Sequence, residues 1–422
     1  MTVLNDNHFL KNAGYSNYQD TLELARHRWY YYKEGFSPLL VEKAIEEVGL
    51  KKNEVLLDPF NGSGTTTLVA SILGYKSYGI EVNPFTAFLS QVKGSSPSHK
   101  EIRRVEGDLI KNISKGKHSD LIGFSTFSET DVLEKWLFNS TVLRAFEGGW
   151  QHSNQIKSPG LKKVIRLALI ISAMENCNAT RDGKCLRYRE NWKSQSLDKY
   201  SFGNSFRTIL DRVASDIESQ PIAVPASVIC GDARESLKRT LKVEKFKLCI
   251  TSPPYLNTFD YTDIYRPELL LGKFVNSSEE LYKLRLRTVR SHLQAKWEKP
   301  VKSDFGLLYS QAISHLGENQ ENLMDKKIPL MIQAYFEDMY EILKLLRVKA
   351  LKDAQLWLVV SNSAYADMEI PVDLIIADVG CKAGWYLREV AVLRYIKRRK
   401  TRHSPNINEL RESVIVFSAS KI

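Results

Sequence analysis

Short apolar runs alternate with amphipathic segments along much of the chain, and this alternation predicts an α/β fold. Residues 54–57 and 77–80 have the length and composition of buried strands, and residues 67–73 between them have helical spacing. Residues 227–230 and 247–251 repeat the strand pattern in the second half of the chain. Strands that are apolar on both faces and joined by helices are typical of a parallel sheet covered on both sides.

The C-terminal part of the chain adds strands of a different kind. Residues 335–349 and 372–380 predict helices, and residues 356–361 predict a strand. Residues 386–393 and 413–417 predict two final strands, which we expect to pair as an antiparallel hairpin. The sheet as a whole is therefore predicted to be mixed.

Between these parts the pattern changes twice. Residues 130–146 and 161–175 carry apolar side chains at helical spacing, whereas residues 277–330 are charged and weakly periodic. These changes divide the chain into an N-terminal segment with the first half of the sheet (1–99), a helical insert (100–225), the second half of the sheet (226–276), a charged region (277–330) and the C-terminal part of the sheet (331–422).

The charge and the cysteines limit the classes of function. A net charge of +11 over 422 residues favours a polyanionic partner, nucleic acid before an anionic membrane, although a basic surface without such a partner is the alternative. The five cysteines are widely spaced without a Cys-x-x-Cys pair, so we expect no disulfide framework, no metal site and a cytoplasmic location. There is no signal-peptide pattern and no apolar run of membrane-spanning length.

A glycine-rich segment follows the first predicted strand. Residues 58–66 read Asp-Pro-Phe-Asn-Gly-Ser-Gly-Thr-Thr, and the glycines allow a tight turn with close approach of the backbone to a ligand. Glu81 ends the next strand about twenty residues later, where a carboxylate can accept hydrogen bonds from both hydroxyls of a ribose. No Gly-Lys-(Ser/Thr) sequence follows, so the segment differs from a P-loop.

Residues 252–255, Ser-Pro-Pro-Tyr, follow the strand predicted at 247–251. Two prolines can continue neither a helix nor a central strand, so they hold a stiff turn at the carboxyl end of the strand, where α/β sheets bind ligands. An exocyclic amine could donate to the Ser252 hydroxyl and a nearby carbonyl while its ring stacks on Tyr255. A proline loop with a packed tyrosine is the alternative, and Asn257, Asp260, Tyr261 and Tyr265 beyond it either contact a base or pack.

The two segments, in this order, resemble the cofactor-binding motif and the catalytic tetrapeptide of the S-adenosylmethionine-dependent amino-methyltransferases of DNA. The resemblance implies a class I methyltransferase fold, a Rossmann-like seven-stranded mixed sheet, with S-adenosyl-L-methionine as cofactor and no metal. It implies catalytic roles for Ser252, Pro253, Pro254 and Tyr255. It implies cofactor contacts by Phe36, Ser37, Asp58, Pro59, Phe60, Gly62, Gly64, Thr65, Glu81 and Asp232.

Three of these assignments have simple structural alternatives. Phe36 can act as a hydrophobic staple, Ser37 can cap the amphipathic helix predicted over residues 39–48, and Asp232 can cap a helix before Glu235. In the family, an acid at the position of Asp232 accepts from the cofactor adenine, and a Phe-Ser-Pro segment lies against its methionine part. By the same resemblance, residues 1–99 hold the cofactor-binding half, 226–276 the catalytic half and 277–330 the target-recognition region, for which a variable surface insertion is the alternative.

The expected target follows from the family pattern. A serine in the first catalytic position usually accompanies the N4 amine of cytosine, whereas an acid or amide there usually accompanies adenine. We therefore expect a site-specific cytosine-N4 methyltransferase of duplex DNA, acting as the modification half of a restriction-modification system beside a cognate endonuclease, as a monomer or dimer. The alternatives are an N6-adenine DNA methyltransferase, an RNA guanine-N2 methyltransferase and a non-catalytic DNA-binding protein.

Two basic runs are the candidate DNA contacts. Residues 178–189 carry four cations beside a tyrosine and a glycine, and residues 396–403 are densely basic. The predicted DNA-binding residues are Arg181, Lys184, Arg187, Arg189, Lys397, Arg398, Arg399 and Arg402. Solvated loops without a nucleic-acid role are the alternative for both runs.

Overall fold

A mixed β-sheet is the centre of the molecule in the computed structural model, which describes residues 4–5, 14–182, 185–239, 245–398 and 402–421. In chain order the described strands are β1 (Leu4–Asn5), β2 (Val55–Asp58), β3 (Lys76–Glu81), β4 (Ala179–Asp182), β5 (Cys185–Tyr188), β6 (Ser227–Cys230), β7 (Phe246–Thr251), β8 (Ala350–Ser361), β9 (Ser363–Tyr365), β10 (Met368–Ile370), β11 (Tyr386–Lys397) and β12 (Glu409–Ser418).

The central sheet has the strand order β1-β11-β12-β8-β7-β2-β3-β6. Strands β6, β3, β2, β7 and β8 run parallel, and β12 is antiparallel to both β8 and β11. The predicted seven-stranded mixed sheet is thus confirmed, and the two-residue β1 adds a short parallel edge beside β11. Strands β4 with β5 and β9 with β10 form two small antiparallel pairs outside it.

The helices cover both faces of the sheet and form the insert. They are α1 (Pro38–Val48), α2 (Thr65–Leu73), α3 (Pro84–Lys93), α4 (His99–Lys115), α5 (Ser140–Ser153), α6 (Pro159–Glu175), α7 (Lys199–Ser219), α8 (Ala233–Arg239), α9 (Tyr261–Ile264), α10 (Arg266–Leu271), α11 (Ser278–Arg285), α12 (Leu307–Glu318), α13 (Ile328–Lys349) and α14 (Val372–Lys382), with short 3-10 turns at Gln19–Leu22, His27–Trp29, Trp192–Ser194 and Gln320–Asn322. Across the described part of the chain, no helix combines the length and the apolar character that crossing a membrane requires.

Successive residues of the central strands enter different cores. Leu56 of β2 and Leu248 of β7 pack with α1, whereas their neighbours Leu57 and Cys249 pack with α13 and α14 on the opposite face. This alternation follows from the two-residue period of a strand, and it explains why these strands are apolar throughout. A third core is built from α3, the helices α4 to α7 of the insert and α10.

Local sequence signals set the start and end of the helix that leads to the site. Ser37 accepts a hydrogen bond from the Leu39 N–H at 3.1 Å and caps α1, whose first residue is Pro38. Proline suits this position because its missing N–H would have no partner in the first turn. Gly49, in the left-handed region at φ 63°, ends the helix.

Candidate active site

A cavity of about 340 Å³ opens at the carboxyl ends of the parallel strands. Asp58 ends β2, Glu81 ends β3, and Ser252 follows the last residue of β7. Because parallel strands point the same way, side chains at their ends converge at one edge of the sheet. The predicted site residues that line this cavity are Phe36, Asp58, Pro59, Phe60, Gly62, Thr65, Glu81, Asp232, Ser252, Pro253, Pro254 and Tyr255.

Two predicted cofactor residues, Ser37 and Gly64, shape the cavity without lining it. The Ser37 hydroxyl donates to the Asp20 carboxylate and caps α1, so its side chain is engaged away from the pocket. Gly64 immediately precedes α2 and has φ 88°, and a Cβ there would lie 2.2 Å from the Ser90 Oγ. A glycine is therefore required by both the backbone conformation and the close approach of α3.

Asp58 is a buried carboxylate at the junction of β2 and β7. It is 2% exposed, and its Oδ1 accepts from the Thr251 hydroxyl at 2.5 Å and from the Phe60 N–H at 3.0 Å. Burial outweighs these bonds and raises the pKa of Asp58 to about 6. A cationic ligand in the cavity would stabilise the ionised form, which suits a sulfonium or an ammonium group.

Glu81 links the glycine-rich turn to the end of β3. Its Oε2 accepts from the Gly62 N–H and its Oε1 from the Asn83 N–H, both at 2.8 Å. Each oxygen of a carboxylate has a second lone pair, so the group can still accept from two hydroxyls. Burial raises the pKa of Glu81 despite these bonds.

Asp232 performs the capping role that we weighed as an alternative, and it also lines the cavity. Its Oδ1 accepts from the Arg234 N–H at 2.9 Å at the start of α8. The Arg234 guanidinium forms ion pairs with Asp232 at 2.7 Å and with Asp338 of α13 at 2.8 Å. The carboxylate is thereby fixed in place, with its side chain still partly exposed to the cavity.

The tyrosine of the tetrapeptide is hydrogen-bonded to a side chain of β12, the strand antiparallel to β11. The Ser252 hydroxyl donates to the Tyr255 hydroxyl at 3.4 Å, and Tyr255 donates to Glu412 Oε1 at 2.8 Å. Glu412 Oε2 accepts from the Arg394 Nε at 2.6 Å, and these two residues are cross-strand neighbours on β12 and β11. Both line the cavity, and sequence analysis missed both because Glu412 lies 157 residues beyond Tyr255 and carries no motif.

An aromatic wall completes the cavity. Tyr32 stacks on Tyr265 with ring centroids 5.6 Å apart, and Tyr265 donates to Glu34 at 2.5 Å. Tyr261 lines the same wall, and burial raises the pKa of all three tyrosines, which keeps them neutral. Tyr32 and Glu34 were not predicted, although they lie in an aromatic run just before Phe36.

The residues that follow the tetrapeptide separate into two groups. Asn257, Tyr261 and Tyr265 line the cavity, as a role in base contact requires. Asp260 instead caps α9 by accepting from the Thr262 N–H at 2.9 Å, and it pairs with Arg285 of the charged region.

The charged region 277–330 borders the cavity. Arg287 and His292 line it, whereas Arg290 points inward to Glu337 and Asp338 of α13, both at 2.7 Å. This places the N-terminal part of the region beside the site.

The described part of the basic run at 178–189 contains the antiparallel pair of β4 and β5, called the hairpin below, and one of its arginines faces inward. Arg181 pairs with the fully buried Glu268 and lies over the Tyr30 and Tyr265 rings, 5.5 and 4.6 Å from their centroids. The expectation that Arg181 contacts phosphate is therefore wrong, because its charge is neutralised inside the protein. Only Arg187 of the described cations in this run has a largely exposed side chain, at 71%.

Arg189, another predicted DNA contact, is engaged in hydrogen bonds within the protein. Arg189 donates to the carbonyls of Cys177 and Glu175, at 2.8 and 3.1 Å, and so serves the hairpin. Lys184 and Arg399 lie outside the described residues.

The second basic run continues from the cavity wall. Ile396 lines the cavity, and Lys397, at the end of β11, is exposed. Arg398 donates to the Ser404 carbonyl at 3.2 Å, and the exposed Arg402 donates to the ring of His403 at 2.9 Å.

The cavity has the groups that S-adenosylmethionine requires. A buried carboxylate whose pKa is raised, Asp58, suits the cationic end, and Glu81 with its free lone pairs suits the ribose. Phe36 and Phe60 add apolar side chains to the cavity lining, which suits the apolar parts of such a ligand.

Comparisons with known proteins also indicate a methyltransferase. Residues 4–91 match the family described as DNA methylase. The chain is 27% identical over 464 residues to the type II methyltransferase M.BsoBI of Geobacillus stearothermophilus, covering 95% of this chain and 87% of that protein. It is 26% identical over 407 residues to the type II methyltransferase M.AvaI of Nostoc sp., covering 89% and 82%.

Among solved structures, the rRNA methyltransferase aviRa from Streptomyces viridochromogenes aligns with 98% of this chain and 97% of its own, at 10% identity and a TM-score of 0.33. Because that score is low, the fold is established by the strand order of this chain alone. The family match over residues 4–91, the nearly full-length alignments and the cavity that both motifs line support a DNA methyltransferase that uses S-adenosylmethionine.

Proposed function

We propose that the chain methylates the N4 amine of cytosine in duplex DNA. The observation that carries this proposal is Ser252 in the first position of the tetrapeptide, on the wall of the cavity that also contains Asp58 and Glu81. In this family a serine there usually accompanies cytosine, whereas an acid or amide usually accompanies adenine. The target amine and the methyl donor would then meet at one edge of the sheet.

The cofactor is held by four side chains in this proposal. Asp58 faces its cationic end, Glu81 accepts from the ribose hydroxyls, Asp232 accepts from the adenine amine and Phe36 packs on the methionine chain. When bound, S-adenosylmethionine supplies a methyl group on a sulfonium that is already a strong electrophile. The remaining task of the protein is to present a competent nucleophile.

The tetrapeptide performs that task by orienting the amine. A nucleobase amine is a poor nucleophile because its lone pair is delocalised into the ring. Hydrogen bonds from the amine to the Ser252 hydroxyl oxygen and the Pro253 carbonyl would direct that lone pair out of the ring plane. The target base must leave the duplex to reach this site, and stacking on Tyr255 offsets part of the cost of unpairing it.

Product analysis tests the proposal. Purified protein is incubated with labelled S-adenosylmethionine and either unmodified duplex DNA or, in a parallel reaction, RNA, and each nucleic acid is digested to nucleosides for mass spectrometry. N4-methylcytosine is the expected product, and Ser252→Ala is the control that should yield almost none. Methylated adenine alone would overturn the cytosine assignment while leaving amine methylation in place, and label only in RNA would overturn DNA as the substrate.

We also propose that the chain is the modification half of a restriction-modification system. The proteins that it resembles over most of its length are type II methyltransferases by name. The partner would be an endonuclease that cleaves the same unmethylated site. Mapping the modified site and then challenging methylated and unmethylated DNA with a nuclease of that specificity tests the pairing, and equal cleavage of both would contradict it.

A further inference from the structure

A chain of hydrogen bonds runs from Ser252 to the buried carboxylate of an ion pair. It passes from Ser252 through the Tyr255 hydroxyl to Glu412, with oxygen–oxygen distances of 3.4 and 2.8 Å. Glu412 is 2% exposed and forms an ion pair with Arg394 at 2.6 Å. All four residues line the cavity, so the chain lies beside the reacting groups.

The ion pair determines the direction of every bond in this chain. An ionised carboxylate has no proton and can only accept, so the Tyr255 hydroxyl must donate to Glu412. A phenol has one proton, so Tyr255 can then only accept from Ser252. The single proton of Ser252 is thereby engaged, and only its lone pairs remain for a substrate.

We propose that Glu412 is a positioning residue that fixes the hydrogen-bond polarity of Ser252. The serine hydroxyl then acts solely as an acceptor for the target amine, as a carboxylate in the same position would. This inference rests on the proposed function, because it takes an exocyclic amine as the group facing Ser252. It also narrows the chemistry of that serine, since donation to the ring nitrogen of cytosine is no longer open to it.

The long contact between Ser252 and Tyr255 fits this role. At 3.4 Å it is at the upper limit for a hydroxyl–hydroxyl hydrogen bond. Hydrogen bonds in catalytic sites are often long before substrate fills the site and shorten in the reactive complex. A flipped base that donates to Ser252 would polarise the serine O–H and strengthen its bond to Tyr255.

A purely structural account makes a different prediction. If Tyr255 only stacks on the base, its hydroxyl matters little, and Tyr255→Phe should react at the wild-type rate because the aromatic ring is kept. If Glu412 fixes the polarity of Ser252, Tyr255→Phe keeps the ring but disconnects the serine. The hydroxyl of one residue therefore distinguishes the two roles.

The first experiment measures single-turnover methyl transfer to duplex DNA at saturating cofactor. Tyr255→Phe and Glu412→Gln should each slow the reaction by about 10- to 100-fold, the effect of losing a hydrogen bond to a charged group. The double variant should be no slower than either single variant, and cofactor affinity should be unchanged. Tyr335→Phe is the matched control, because this buried hydroxyl has no hydrogen-bond partner among the described residues and lies outside the cavity lining.

The second experiment repeats Glu412→Gln in a Ser252→Asp background. An aspartate accepts without any help, so the substitution of Glu412 should then have little further effect on the rate. In the first experiment, the proposal is overturned if Tyr255→Phe reacts at the wild-type rate or if the rate losses of the two single variants multiply in the double variant. In the second, it is overturned if Glu412→Gln slows the reaction equally in the wild-type and Ser252→Asp backgrounds or if Ser252→Asp is inactive. Failure of the proposed function would appear separately, as the wrong base or no methylated base from the wild-type enzyme.

Discussion

Asp58 is the residue whose ionisation should govern cofactor binding. Burial raises its pKa to about 6, and a cationic ligand binds the ionised form. Below pH 6 the carboxyl group must lose a proton before it pairs with the ligand. Affinity for S-adenosylmethionine should therefore be constant above this pH and fall by up to about tenfold per pH unit below it.

Calorimetry between pH 5 and pH 8 measures this dependence. Asp58→Asn should bind more weakly at pH 8 and show a much flatter profile, which separates the contribution of Asp58 from that of Glu81. Circular dichroism at each pH establishes that the protein stays folded. A wild-type profile that is flat through pH 6 would exclude Asp58 as the partner of the cationic end.

Glu81 should contribute to affinity through its lone pairs. Glu81→Ala removes the acceptor for the ribose and leaves the N–H groups of Gly62 and Asn83 unpaired. We expect a loss of about 1–3 kcal/mol of binding free energy, the range for buried groups that lose their partner. Isothermal titration of the folded variant tests this, and unchanged affinity would remove Glu81 from the cofactor site.

The site residues that were predicted lie in local sequence motifs, whereas those that were missed are brought to the site by strand pairing. Asp58, Glu81 and Ser252 belong to short segments in which prolines, glycines and spacing along one βαβ unit encode the turn. Glu412 and Arg394 reach the cavity only because β12 pairs with β11 in one register. Strand register is a long-range property, and an acid within a strand sequence does not reveal which side chain it will meet.

At the scale of elements, the main difference from prediction concerns residues 130–146. Only α5, from Ser140, is helical there. The Leu137 and Phe138 N–H groups donate to the Thr126 and Phe127 carbonyls, so the preceding apolar residues stabilise a closed loop. The Ser140 N–H donates to the Glu129 carboxylate, eleven residues earlier, and helical spacing alone could not locate a cap supplied from that distance.

The hairpin of β4 and β5 offers a test of two arginines on one element. Arg181→Ala leaves Glu268 buried without its partner, so the free energy of unfolding should fall by about 3–5 kcal/mol. Arg187→Ala removes an exposed cation paired with Asp182, so stability should change by less than about 0.5 kcal/mol.

Urea unfolding of the two variants measures these changes. DNA affinity provides the complementary comparison, since Arg187→Ala should weaken binding in a folded protein if this hairpin meets phosphate. Similar stability losses for both variants would show that Arg181 is not the structural arginine of the hairpin.

At the scale of the whole molecule, only some of the cations behind the net charge of +11 are available to bind an external partner. Arg181, Arg234 and Arg290 are held in internal ion pairs and contribute little to an external field. Lys397 and Arg402 are exposed on the segment that continues from the cavity wall. The composition therefore predicted a polyanionic partner correctly in kind, but it could not tell structural cations from surface ones.

We expect Lys397 and Arg402 to contact DNA phosphates beside the flipped base. Each cation that neutralises one phosphate releases the counterions bound there. If both side chains do so, the double variant Lys397→Gln/Arg402→Gln should reduce the slope of log affinity against log salt by about 1.8. Fluorescence anisotropy with duplex DNA across a salt series measures this slope. The matched control is Lys111→Gln/Lys115→Gln, which removes the same charge from an exposed face of α4 outside the cavity lining. Equal slope changes in the two double variants would mean that DNA responds to total charge, and the segment after β11 would then have no special place in the complex.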